Sequence, residues 1–232
     1  MEMEQNPPVM EERRMMRADA ERNRRRLLDA ATEMFCERGL DVGVGEIAQQ
    51  AGVGRGTLFR NFPSKEHLIA AIVVERMRES LSRGHAALEA VDAGQSLFDL
   101  IEQSAGRSMT DRALFDALDE TWLANDEIRQ AHGELIEVLD ALVRKAQDAG
   151  AVRTDISAID LMLLIKGVCE AAGSFQHVKP DVMLRQLDLI RSAISAPGSE
   201  QLPLRGTAPS LEDLEQAKKA HKPASPPRVA TG

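Results

Sequence analysis

Apolar residues recur at helical spacing along most of the chain, and nowhere do they alternate as a half-buried strand requires. Leu27, Leu28, Ala31, Met34 and Phe35 form the first stripe. It predicts a helix from about residue 19 to a left-handed stop at Gly39. A short helix over 44–51, a tight turn around Gly52 and Gly54, and a second short helix over 55–60 follow. Phe62-Pro63-Ser64 breaks the pattern, because proline disfavours helix in the residue before it. Ser64 then caps a long helix carrying Leu68, Ile69, Ile72, Val73, Met77 and Leu81, expected to reach about Arg83. Further helices are expected over 96–109, 111–123, 126–149, 157–175 and 180–195, with Gly150 as a stop and Pro180 in a first turn. From Pro197 a Pro/Ser-rich composition predicts a disordered tail, relieved only by a weak helix in SLEDLEQAKKAH.

Composition agrees with an all-α fold. Of the 232 residues 43% are apolar, but there are only six Phe, one Trp and no Tyr. A core of Leu, Ile, Ala, Val and Met favours packed helices over sheets. The net charge of −8 is unevenly spread. Residues 13–65 carry eleven Lys and Arg against seven Asp and Glu (+4), residues 66–232 carry eighteen against twenty-six (−8), and residues 1–12 add −4. A basic block on an acidic body suits one module that meets a polyanion, although a solvated charge run has the same look. Arg22, Arg24, Arg25 and Arg26 oppose the dipole at the front of their helix, so helix stability does not explain them.

Other classes find little support. The N-terminal MEMEQNPPVMEERR has no apolar stretch, so it is not a signal peptide, and no apolar run approaches the roughly 18 residues of a membrane span. A cytoplasmic protein without membrane contact is expected. Cys36 and Cys169 fall in apolar helical patterns and read as buried, reduced thiols, with a redox-sensing pair as the alternative. The five histidines lack paired metal-ligand spacings, no nucleophile motif stands out, and neither cofactor nor enzyme activity is expected.

GVGRGTLFRNFPSKEHL is the most informative stretch. Its alternating glycines could cradle a nucleotide, but that needs a preceding strand, and EIAQQA is helical in type. The Gly-Lys-Ser/Thr of a phosphate loop is also missing. Two short crossing helices account for more. Ala48, Gly52 and Leu58 supply a small contact residue, a turn of positive φ and an apolar anchor, at offsets of four and six. Arg55, Thr57, Phe59, Arg60 and Asn61 are left on or beside the exposed part of the second helix. Such a helix fits a DNA major groove about 12 Å wide, and its start favours phosphate. The other reading is an ordinary helical hairpin.

LLDAATEMFCERGL, EIAQQAGV and GTLFRNFPSKEHL, in this order and spacing, resemble the DNA-binding domain of the TetR (tetracycline repressor) family of bacterial regulators over about residues 20–70. The resemblance implies a three-helix helix-turn-helix domain over 19–65 and a helical ligand-binding and dimerisation domain over 66–196. A flexible arm would cover 1–18 and the tail 197–232. It places Arg55 and Thr57 on the recognition helix and Lys65 on a phosphate. Phe59 stands where a phosphate-binding Tyr is frequent, and Asn61 where His is frequent. Val44 and Gly45 replace a usual Thr or Ser, and Gly54 a usual Ser cap. Gly45 remains a position at the DNA, and Arg25 in the arginine block offers a compensating phosphate contact.

By the same resemblance the body pairs two subunits and holds a small-molecule effector. Leu161, Ile165 and Val168 on one helix and Met183, Leu187, Ile190 and Ile194 on the next are candidate pairing residues, forming a four-helix bundle with a second copy. They would equally serve as core within one chain. Phe98, Met109, Phe115, Trp122 and Met162 are candidate pocket liners, or simple core. The expected protein is a homodimeric, ligand-responsive repressor of a palindromic operator in double-stranded DNA. The alternative is a small-molecule-binding helical dimer whose DNA head is weak or degenerate.

Overall fold

The computed structural model describes residues 7–110, 125–200 and 202–220. Among the described residues are nine helices and no strand: α1 (Pro7–Arg38), α2 (Val44–Gln50), α3 (Arg55–Asn61), α4 (Lys65–Glu89), α5 (Ala93–Thr110), α6 (Asp126–Asp148), α7 (Ala158–Gly173), α8 (Val182–Ile194) and α9 (Leu211–Ala220). Val152 and Ser195 form an isolated antiparallel bridge. The helix expected over 111–123 lies outside the described residues.

Three boundaries differ from the expectation. α1 begins at Pro7, so residues 7–18 extend the first helix and are not a flexible arm. The segment is rich in Met, Glu, Arg and Ala, all good helix formers, and its two prolines, Pro7 and Pro8, sit in the first turn, where a missing N–H costs nothing. α4 runs past Arg83 to Glu89. The tail is folded over residues 202–220: Ser210 and Asp213 cap α9 reciprocally, and Ala217 is fully buried.

The chain packs as two units. One takes α1 to α3, α4 as far as Ser80 and α6 as far as Glu134; the other takes the remainder of α4 and α6 with α5, α7, α8 and α9. The division therefore falls inside α4, not at Lys65. The first unit buries Leu27, Ala31 and Phe35 of α1 with Ile47, Leu58, Phe62, Leu68 and Ile72.

The second unit is centred on Leu97 and Ile101 of α5, Leu142 and Ala146 of α6, Leu161 of α7, and Leu187, Ile190 and Ile194 of α8. These last four were candidate pairing residues. They face their own core, so they offer no surface to a second subunit. Ile165, Val168 and Met183 are half-buried against the same core. Phe98 is half-buried against the same core, with the Arg191 guanidinium 4.3 Å from its ring centroid. Met162 is half-buried on α7. Met109 lies on α5 with its side chain undescribed, and Phe115 and Trp122 lie outside the described residues. Cys36 is exposed, contrary to expectation; Cys169 is half-buried with its Sγ 3.9 Å from the Ala105 carbonyl oxygen.

Candidate nucleic-acid interface

α1 supplies the floor on which α2 and α3 sit. Ile47 and Ala48 of α2 and Leu58 of α3 are buried, and the α2–α3 turn is closed by backbone bonds from Ala51 N to Ile47 O, Gly52 N to Gln49 O and Val53 N to Ala48 O. Gly52 has φ 63°, a left-handed conformation that side chains rarely adopt. A Cβ there would also lie 2.5 Å from Nη2 of Arg26, whose guanidinium donates to the Gly52 carbonyl at 3.3 Å. Ala48, Gly52 and Leu58 thus form the crossing that the sequence pattern requires.

The face of α3 opposite Leu58 carries the candidate readers. Arg55 is exposed, and its guanidinium lies over Gly45 in the first turn of α2: a Cβ on Gly45 would sit 3.5 Å from Nε. The two helix starts are thereby brought together, and a side chain at position 45 would meet that arginine in ordinary van der Waals contact. Phe59 is 45% exposed, an apolar ring with no hydroxyl to offer a phosphate. Arg60 bonds back to the Gly56 carbonyl (3.1 Å) and the Thr57 hydroxyl (3.3 Å), and Asn61 to the Thr57 carbonyl (2.8 Å). Thr57, Arg60 and Asn61 therefore hold one another along the helix.

Two of the expected contacts point elsewhere. Lys65 donates to the Leu40 carbonyl and lies 5.8 Å above the Phe35 ring, so its ammonium closes the end of α1. Arg25 is paired with Glu75 of α4 and with Asp29 (3.1 Å), which holds it to the α1–α4 side of the unit. Arg25, Arg26, Glu33, Glu75, Arg76 and Glu79 line a polar cleft of about 600 Å³ between α1, the end of α2 and α4. Of the arginine block the sequence marks, Arg24 is the member that reaches the end of α3. Its guanidinium stacks 4.5 Å from the ring of Phe62, the C-cap of α3, which places a cation at the end of the reading helix. The block marks the arginine, but its separation of thirty-eight positions from Phe62 (62 − 24) leaves no local signal for its partner. The unit's supporting polar contacts are ordinary: Glu46 caps α2 through the Gly43 N–H, and its carboxyl is held below its usual range by bonds from Arg38 and Gly43.

A short helix anchored by one buried leucine, exposed on its other face and crossed by a glycine turn, defines a helix-turn-helix reader on an all-helical body. A family model described as bacterial regulatory proteins of the tetR family matches residues 27–72, and one described as the C-terminal domain of SbtR-like transcriptional regulators matches residues 92–196. The crystal structure of a TetR transcription regulatory protein from Mycobacterium vanbaalenii is similar with 30% identity and a TM-score of 0.59, over 78% of this chain and 99% of that one. A TetR transcriptional regulator from Streptomyces coelicolor is similar with 27% identity and a TM-score of 0.60, over 75% of this chain and 99% of that one. The transcriptional regulator UidR of Escherichia coli K12 is 26% identical over 147 residues, covering 61% of this chain and 75% of its own. The chain belongs to the TetR family and is a DNA-binding transcriptional regulator. No helix among the described residues is long and apolar enough to cross a membrane.

Proposed function

We propose that the protein is a homodimeric repressor that reads a palindromic operator with α3 and releases or gains it in response to a small-molecule effector. The observation that carries the reading is the surface of α3, where Arg55, Phe59 and Arg60 are exposed and Thr57 and Asn61 half-buried around buried Leu58. Arg55 is the proposed base-reading residue, because it starts the helix and guanidinium pairs well with guanine edges. Phe59 takes an apolar contact. Arg24 and Gly45 lie beside the two ends of α3 and support backbone contacts.

Pairing is supported by a different face from the one the periodicity suggested. Ile159, Leu163 and Leu164 on α7 are 47%, 64% and 43% exposed, and Leu189 on α8 is 43% exposed. Large apolar groups grouped on two neighbouring helices mark an interaction surface, and a second copy would give a four-helix bundle. Two-fold pairing in turn suits successive major grooves about 34–36 Å apart.

The test is titration of the protein into DNA from its own upstream region at two salt concentrations, beside Arg55→Ala. Binding with a steep salt slope, weakened by roughly 1–3 kcal/mol in the variant, is expected. Binding no tighter than to random DNA, or unchanged in Arg55→Ala, would remove α3 as the reader.

A further inference from the structure

In the C-terminal segment, residues 205–207 run antiparallel to α8 and the residues that lead into it. Arg205 meets Asp188, Gly206 meets Arg185 and Asp181, and Thr207 meets Lys179 (2.7 Å), so each step forward in the segment is a step back along α8 and then past its start. Gly206 has φ 64°, and a Cβ there would collide with the Asp181 carboxylate, so the approach depends on glycine. α9 follows directly.

Arg205 is the centre of this segment. Its Nη1 and Nη2 donate to the two oxygens of Glu102 on α5 at 2.8 and 2.9 Å, and its Nε and Nη2 reach both oxygens of Asp188 at 2.8 to 3.1 Å. Its backbone N–H adds a bond to Asp188 at 2.7 Å. One guanidinium is thus held by forked bonds on two sides, by carboxylates from two different helices. Exposed ion pairs are usually weak, but forked geometry within a network is the exception, and the Asp188 side chain is only 13% exposed. The same seam is closed one turn further along by Arg191, which bonds Gln95 (3.0 Å) and covers Phe98.

We propose that Glu102 and Asp188 form a guanidinium-binding site on the seam between α5 and α8, filled in cis by Arg205, so that the C-terminal strap acts as a removable lock on the body. Planar, forked donors are what two facing carboxylates select, and an ammonium ion satisfies only one oxygen of each at a time. Once the strap's arginine is removed, a soluble guanidinium takes its place. While it is present, the tether keeps the site filled.

The experiment compares the full-length protein with Arg205→Ala, Arg205→Lys and the double variant Arg205→Ala/Glu102→Gln. Hydrogen exchange around Glu102 and Asp188 is expected to speed up roughly fivefold or more in Arg205→Ala, with a Tm lower by about 4 °C. Arg205→Lys should resemble Arg205→Ala, since charge without the fork does not restore the seam. Methylguanidinium at about 20 mM, above the millimolar range typical of tethered groups, should reverse much of the change in Arg205→Ala. It should do nothing in the wild type or the double variant, and tetramethylammonium should do nothing in any. Unchanged exchange in Arg205→Ala overturns the lock. Faster exchange that methylguanidinium relieves no better than tetramethylammonium overturns the site and leaves the strap as packing alone.

Discussion

The three alternating glycines of the α2–α3 turn are chemically alike and should respond differently to the same change. Gly52→Ala forces an alanine into φ 63°, which costs about 1–2 kcal/mol for an L residue. It also pushes Nη2 of Arg26 off a site 2.5 Å away, at the expense of the bond to the Gly52 carbonyl. Because that group is the free end of a long side chain, the steric part is small and the backbone part dominates. Gly54 is the N-cap of α3 with extended backbone and no side-chain cap bond. Gly54→Ser should therefore stabilise by a few tenths of a kcal/mol, since serine accepts from the first turn. Gly56 lies within α3 with nothing inside 4 Å of a built Cβ, so Gly56→Ala should stabilise by about 0.5–1 kcal/mol. The assay is hydrogen exchange of peptides spanning α2 and α3, which reports local opening even where two units unfold separately. A neutral Gly52→Ala, or a Gly56→Ala as damaging as Gly52→Ala, would refute the assignment of the turn to Gly52.

Leu163→Glu should shift the protein toward monomer in analytical ultracentrifugation while leaving helicity by circular dichroism unchanged, because the side chain is 64% exposed. Leu161→Ala, in the buried core, should instead cost about 2–5 kcal/mol in chemical denaturation. Lys145 donates to the Leu88 and Ala90 carbonyls at 2.5 and 2.7 Å, satisfying orphan groups at the end of α4. Lys145→Met should cost about 1–3 kcal/mol and raise hydrogen exchange at the end of α4. For pH, the Asp160 carboxyl is held low by its bonds from Ser157; Asp188, though burial pushes it up, is brought net below its usual range by Arg205 and Arg191. A lowered folded pKa gives stability that is complete above the unfolded value of about 4 and lost as pH falls through the lower folded value. Calorimetric Tm should be flat above about pH 5 and fall below about pH 4, with a shallower fall in Asp160→Asn.

The reading head was legible because its constraints are local. Ala48, Gly52 and Leu58 lie within eleven residues, and each position admits few side chains for a stated reason, so sequence spacing reports spatial spacing. Side-chain direction was less legible. Lys65 and Arg25 stand at plausible distances from α3 along the chain, yet their ends are set by partners twenty-five and fifty residues away, Leu40 and Glu75. A long flexible cation goes to whichever oxygen the fold brings near, and the pattern of apolar residues is silent on that.

The body shows the same limit in apolar residues. α7 reads AIDLMLLIKGVCEAAG, with apolar side chains on nearly every face. Periodicity in such a helix identifies a helix and does not rank its faces: it nominates Leu161 as a pairing candidate and passes over Leu163, yet Leu161 is fully buried and Leu163 64% exposed. What distinguishes them is which side α5 and α6 cover, and that depends on residues such as Leu97 and Leu142, far off in sequence. The excess is itself informative. A helix that needs one stripe for its own core and carries a second has apolar surface left over, and exposing Leu163 and Ile159 to water is unfavourable unless another surface covers them. The strap follows the reverse logic. Its Pro/Ser-rich sequence predicts disorder because it has too little apolar area to order itself, yet Arg205 fixes it through two carboxylates that other helices supply. Order in that segment is borrowed from carboxylates that α5 and α8 already hold in place, which is why substituting one arginine should loosen a segment that no hydrophobic pattern marks.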